Sequence, residues 1–424
     1  MSGADPRGEA PAATGSPRSA DGAPGTALSL RGRRLLWAIV GAGTLVRLAI
    51  AFATDTSFID LESFAIVRDA LDRAPLDLYS NVEGTRWPYP PGYLPVVAGL
   101  DALASATTID FLHLVRVVPS LADAGLAVIV QHLLGRRGAS ERARLAAAGA
   151  VALGPVFVGV AAYQGQIDSV AILPALAAFA VWERGGPRRA LAAGLLIGAG
   201  GAVKTVPLLM LVALAPSARS RREATGLAAA ALAVPLAALA PFLAGGAGDV
   251  LDHFRYRGFP GLGGLSLVVQ PDLPLYWLAG HDYDPNAATR ALLDAGGAIV
   301  AVALAATAAA VARLRPHPVD AAILLWLAVW LLGLNFFLQY LVWGLPFLLA
   351  RGHLRRAVAI QLLAAPALLV IYLDASREWL VWALYTVPLI ALWGLTAAAF
   401  ASGARGAAAT AGYAPAMPGR GPSR

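Results

Sequence analysis

Residues 31–53 open with Arg31-Gly32-Arg33-Arg34, continue through Leu35-Leu36-Trp37-Ala38-Ile39-Val40 and stay apolar to Ala53, broken by one charge, Arg47. A basic cluster followed by roughly 19 apolar residues is the pattern of a membrane-spanning helix with its arginines on the cytoplasmic side. The pattern recurs. Arginines gather at Arg136/Arg137/Arg142/Arg144, Arg184/Arg188/Arg189, Arg219/Arg221/Arg222, Arg313/Arg315 and Arg351/Arg355/Arg356, between apolar runs. Placing all these clusters in the cytoplasm leaves the opposite short loops almost free of positive charge. It also puts both termini in the cytoplasm and predicts about 12 spans.

Composition agrees. The 424-residue chain is 58% hydrophobic and 14% charged, with no cysteine, whereas a soluble protein is about a quarter charged. The expected fold is therefore all-α, a polytopic helical bundle in the cell membrane. Disulfides, thiol chemistry and cysteine-ligated metal are excluded. The net charge of +7 lies in short loops between spans, so it sets topology and does not indicate a nucleic-acid partner. Residues 1–30 and 402–424 are rich in Gly, Ala, Pro and Ser without periodicity, and are expected to be disordered cytoplasmic tails around a membrane domain at 31–401. A cleavable signal peptide is not expected, because the first apolar run starts only near Leu35.

Two long external loops are expected, at 54–92 and 245–290. Residues 94–106 are too short to span and read as an interfacial or re-entrant helix. The segments 190–203, 206–215 and 341–350 are also short. Segments broken by Gly or Pro free backbone groups that lipid cannot satisfy, so they must be shielded by protein or line a cavity.

The unusual polar groups fall on the external side of this topology. They are Asp60 and Glu62 after the first span, Arg86-Trp87-Pro88-Tyr89-Pro90-Pro91-Gly92-Tyr93 at the end of the first loop, and the turn Tyr163-Gln164-Gly165-Gln166-Ile167-Asp168-Ser169. The chain's one lysine, Lys204, follows at a broken turn, then Arg255-Tyr256-Arg257 in the second loop and Gln339-Tyr340 after a later span. Each has a plain structural reading beside the functional one. Asp60 is either a base or a helix N-terminal acid. Glu62, with Asp69 and Asp72, is either a substrate contact or part of a solvated face. Gln164, Gln166 and Asp168 either bind substrate or cap a turn, and Lys204 either meets an anion or snorkels to the interface. The Tyr-Pro-Pro-Gly segment chiefly shapes backbone. Arg47 and Asp123, inside spans one and two, are expected to form a buried structural ion pair. The six histidines show no metal-ligand spacing.

Together these groups suit transfer from a lipid-linked phosphate donor to a hydroxyl. Such a site needs a carboxylate base, here Asp60. It needs cations for the departing phosphate, here Lys204 with Arg255 or Arg257. It also needs amides and hydroxyls for a polyol, here Gln164, Tyr89, Gln339 and Tyr340, and groups that orient the donor sugar or its phosphate, here Gln166 and Asp168. No obligatory metal is expected, since a phosphate paired with Lys and Arg asks less charge compensation than a diphosphate; Asp168 as a metal ligand stays open. No organic cofactor is expected.

The order Asp60-Leu61-Glu62, Leu78-Tyr79, Tyr89-Pro90-Pro91-Gly92, Arg116, Asp123, Gln164-Gly165-Gln166-Ile167-Asp168-Ser169, Lys204-Thr205-Val206-Pro207, then Gln339-Tyr340-Leu341-Val342-Trp343-Gly344-Leu345-Pro346 resembles the GT-C superfamily. The likeness is closest to bacterial polyprenyl-phosphate-sugar-dependent mannosyltransferase-like proteins, distantly similar to the asparagine-linked-glycan glucosyltransferases. It covers about residues 35–350. The resemblance implies an inverting transferase with its acidic base on the first external loop. By position, Asp60 matches that base. The Gln166–Asp168 turn and Lys204 match donor-side positions, and Gln339-Tyr340 matches a further site-facing turn. The implied partners are a polyprenyl-phosphate sugar, mannose being the commonest, and a glycan, glycolipid or protein acceptor at the external face. Two rivals stand beside it. A transporter or flippase would show inverted repeats and polar groups on both faces, and a non-catalytic membrane subunit would keep the fold alone.

Overall fold

The computed structural model describes residues 27–55, 59–255, 260–334, 336–373 and 375–412. Among these the chain is helical, with no strand. Seven helices are long and apolar enough to cross a membrane, and four shorter apolar helices accompany them. Where about twelve spans were expected, glycines and prolines shorten several apolar runs below spanning length. The tails at 1–26 and 413–424 lie outside the described residues, but the last helix, Val387–Gly412, runs past residue 401. Its alanines favour helix more strongly than the aperiodic composition suggested.

The helices that build the site are α1 (Leu30–Ala53), α2 (Ile59–Arg73), α3 (Leu94–Ala106), α4 (Phe111–Arg136), α5 (Glu141–Ala152), α6 (Asp168–Arg184), α7 (Arg189–Val203), α8 (Arg221–His253), α9 (Leu341–Ala350) and α10 (Leu354–Tyr372). Side-chain caps start several of them. Asp110 accepts from Leu112 N at α4, and Ser220 accepts from Glu223 N at α8, each satisfying an amide the first turn leaves orphaned. In α2, Leu61, Phe64, Val67 and Ala70 form the buried stripe, while Glu62, Asp69 and Asp72 are exposed, as expected of a solvated face.

Two apolar cores result. The larger lies among the long helices and includes Leu126, Phe157, Phe179, Trp326 and Phe347. The smaller joins α2 to the loop before α3 and to the start of α4 through Leu61, Phe64, Tyr79, Trp87, Tyr93 and Phe111. Helix α7 packs between α6 and α8, and its glycines allow close approach: a Cβ on Gly200 would stand 2.3 Å from Ala171 O, and one on Gly194 2.5 Å from Leu227 O.

The expected buried pair forms. Arg47 Nε lies 3.1 Å from Asp123 Oδ2, with side chains 1% and 0% exposed. The guanidinium also donates to Gly43 O, Ala152 O and Val151 O, and Ser169 Oγ donates to the other Asp123 oxygen.

Candidate active site

A cavity of about 460 Å³ opens along the seam between the two cores. One wall is polar: Asp60, Arg86, Tyr89, Gln164, Gln166, Lys204, Gln339 and Tyr340. Apolar side chains, among them Leu262, Leu278, Phe337, Leu338, Leu368 and Ile371, make up much of the rest of the lining.

The polar wall starts from the break between α5 and α6. A π-helical turn, Gly159–Tyr163, leads into Gln164-Gly165-Gln166. Gly165 adopts φ +71°, a left-handed conformation in which a Cβ would strike Leu61 at 2.6 Å. That reversal lets the carboxamides on either side of it face the same cavity. Gln164 Nε2 donates to Asp60 Oδ2 at 2.6 Å and to Gln339 Oε1 at 3.2 Å, and Tyr372 Oη donates to Gln164 Oε1 at 3.3 Å.

Lys204 caps the end of α7 with extended backbone. Its ammonium is buried, 2.8 Å from Asp168 Oδ2 and 3.1 Å from Gln166 Oε1. It lies 4.5 Å from the centroid of the Tyr89 ring, a cation–π contact. This geometry is not snorkelling, because the side chain stays inside the protein. Asp168 opens α6, where the positive end of the helix favours a carboxylate, and Trp343 Nε1 donates to its second oxygen. Trp343 in turn stacks on Tyr340 with centroids 4.1 Å apart. The Tyr-Pro-Pro-Gly segment is structural, as its composition suggested. Gly92 lies so close to the end of α7 that a Cβ would stand 2.5 Å from Ala202 O, two residues before Lys204. The loop is thereby seated with Tyr89 against the ammonium.

Asp60 sits in the first turn of α2, deep in protein yet half-buried because one side borders the cavity. Burial pushes its pKa above the ordinary carboxylate value. The Gln166 and Gln164 amides and the Lys204 charge pull the other way without cancelling that rise. The Tyr89 phenol is likewise raised, first by burial and then by the charges of Asp60 and Asp168.

Seven of the expected residues thus line one cavity: Asp60, Tyr89, Gln164, Gln166, Lys204, Gln339 and Tyr340. Asp168 stands behind Lys204. Glu62 is exposed and paired to Arg86 at 3.4 Å. Arg255 is turned to solvent, 77% exposed and bound to Asp252 at 2.6 Å, so the structure does not bring it to the cavity; Arg257 lies outside the described residues. Arg86 occupies the cavity wall instead. Its signal was adjacency to Trp87-Pro88-Tyr89. Trp343 stood within the Gln339–Pro346 segment without a role, and Tyr372 carried no signal. Among the described residues, no three His, Asp or Glu side chains gather to hold a metal ion.

The family model described as glycosyltransferase family 87 matches residues 87–334, more than half the chain. The chain belongs to glycosyltransferase family 87. No curated protein sequence matches it. The family 87 match takes in Tyr89, Gln164, Gln166, Asp168 and Lys204. Asp60, Gln339, Tyr340 and Tyr372 complete the same wall from outside the matched residues. This family 87 chain is a membrane glycosyltransferase, and membership does not favour the transporter reading.

Proposed function

We propose that this protein is an inverting hexosyltransferase that draws its sugar, mannose as the expected hexose, from a polyprenyl-phosphate donor. It delivers the sugar to a hydroxyl of a lipid-linked glycan, glycolipid or protein at the external face. The observation that carries this reading is the cavity itself: a carboxylate and an ammonium share a lining with apolar side chains suited to the first units of a lipid chain.

In this reading the acceptor hydroxyl gives its proton to Asp60. Its oxygen bonds to the anomeric carbon from the face opposite the phosphate, and the carbon–phosphate-oxygen bond breaks with its electron pair leaving on the phosphate. Burial makes Asp60 a stronger base than a solvated carboxylate. Lys204 and Arg86 offset the charge that builds on the leaving group, with Arg86 in the part first considered for Arg255. Tyr340, stacked on Trp343, offers an aromatic face to the sugar. No cofactor enters these steps.

Purified protein incubated with polyprenyl-phosphate mannose and a membrane lipid extract, with products read by mass spectrometry, tests the proposal. Asp60→Asn is expected to lower transfer by about 10²- to 10⁴-fold. Unchanged transfer by that variant removes Asp60 as the base. Donor translocation without any product supports the flippase reading instead.

A further inference from the structure

The cavity wall contains a chain of hydrogen bonds that ends on Asp60 and begins on an aromatic residue outside the family match. Tyr163 and Tyr372 stack with ring centroids 4.4 Å apart, and Tyr163 Oη donates to the Tyr372 carbonyl at 2.7 Å. Gly159 leaves room for this arrangement, since a Cβ there would stand 2.9 Å from the Tyr372 ring. Tyr372 Oη, so held, donates to Gln164 Oε1 at 3.3 Å. A carboxamide has one acceptor end and one donor end. With its oxygen turned to Tyr372, Gln164 must present its NH₂ group to Asp60 Oδ2 at 2.6 Å and to Gln339 Oε1 at 3.2 Å. If the amide were reversed, its oxygen would face both the Asp60 carboxylate and the Gln339 oxygen.

We propose that Tyr372 is a positioning residue for the base: acting through Gln164, it fixes an N–H donor on Asp60 and so keeps the carboxylate in its proton-accepting form. Gln164 is then committed to Asp60, Gln339 and Tyr372, and it serves the base rather than the sugar. The inference rests on the transfer reading given above, with Asp60 as base. Its mechanism is ordinary electrostatics, because a donor held against a carboxylate favours the ionised state.

Several other groups face Asp60. They are Gln166 and Asp168 from the α5–α6 turn, Lys204 after α7, Tyr89 from the loop before α3, and Tyr372 from the end of α10. A Tyr372→Phe variant leaves the charges among them in place and removes one hydroxyl.

The test compares wild type, Tyr372→Phe and Gln164→Met by pH–rate profile with the mannosyl donor. In parallel, a substrate-free infrared titration follows the protonated Asp60 carboxyl band, identified by its loss in Asp60→Asn. Tyr372→Phe is expected to lower kcat by about 5- to 30-fold with little change in donor KM. It should also move the acid limb of the profile, and the infrared midpoint, to higher pH. Gln164→Met should do the same more strongly. A merely structural role for Tyr372 would lower the unfolding temperature and leave the midpoint in place. Unchanged kcat and midpoint in folded Tyr372→Phe overturn the inference while the transfer reading stands. A shifted midpoint in a protein that transfers no sugar sustains the hydrogen-bond chain and overturns the transfer reading.

Discussion

Among the described residues two ion pairs are fully buried, and they differ in how much of the cation is used. Arg47 is enclosed by Asp123 and three backbone carbonyls and does not line the cavity that holds Lys204. Lys204 meets Asp168 and Gln166 on one side and a cavity on the other. The two pairs are neighbours through one peptide step: Asp168 holds Lys204, and Ser169 holds Asp123. A charge satisfied all round serves the packing of helices. A charge left with an open side can meet a ligand. The contrast teaches that burial alone does not mark a functional ion, whereas burial beside a cavity leaves a charge able to meet a ligand.

Four substitutions would break or sharpen this contrast. The largest expected effect is on the sealed pair. Arg47→Met strands Asp123 and should cost about 3–5 kcal/mol of stability, seen as a lowered unfolding temperature in detergent, with activity per folded molecule unchanged. Lys204→Gln should reverse that balance. Trp343 and the start of α6 still serve Asp168, so the stability loss should be smaller, while kcat/KM falls by about 10²- to 10³-fold. If Lys204→Gln unfolds as readily as Arg47→Met and its folded fraction works normally, the contrast fails.

Asp60→Asn has a smaller effect on stability, of opposite sign. Asp60's folded-state pKa is raised, so ionising it at neutral pH opposes folding, and the stability linked to it is fully present only below the ordinary carboxylate pKa. The variant should therefore melt no lower than wild type at neutral pH, with any advantage shrinking as pH falls toward about 4. A clear drop in melting temperature would mean that Asp60 is held as a structural charge. Arg255→Ala should do least, within about 0.5 kcal/mol for stability and with transfer unchanged. A tenfold loss of transfer there would bring the second loop back into the site.

Much of this arrangement is legible in the sequence, for identifiable reasons. Apolar runs alternating with Arg136/Arg137, Arg184/Arg188/Arg189 and Arg351/Arg355/Arg356 mark a helical membrane protein, because lipid leaves the backbone few alternatives. Arg47 with Asp123 could be paired because each is costly alone. Lys204, Asp60 and the Gln164–Asp168 turn stood out as polar groups beside apolar runs. What stayed hidden depends on convergence in space. Trp343 reaches Asp168 across 175 residues, and Tyr372 reaches Gln164 across 208; no local spacing encodes either contact. Arg255 lies away from the cavity for the converse reason. Its partner Asp252 is a near neighbour at i,i+3, and a basic residue in an external loop looks the same whether it faces a phosphate or its own helix end. Of the spans expected, seven helices have full spanning length and four apolar helices are shorter, several of them bounded by the Gly and Pro that end a helix.

Helices α6 and α7 form a hairpin whose open end carries the Asp168–Lys204 pair and whose closed end carries Arg184, Arg188 and Arg189. Seventeen residues of α6 at about 1.5 Å each make a rod of roughly 26 Å, close to the ~30 Å of a bilayer's hydrocarbon layer. Under the proposed function the hairpin would act as a depth gauge. In the proposed topology, with its arginines at the cytoplasmic boundary, it would hold the ammonium toward the opposite boundary, where the proposed lipid-borne phosphate would ride. Shortening or lengthening α6 by a turn would move the site off that plane by about 5 Å without altering a single residue in it.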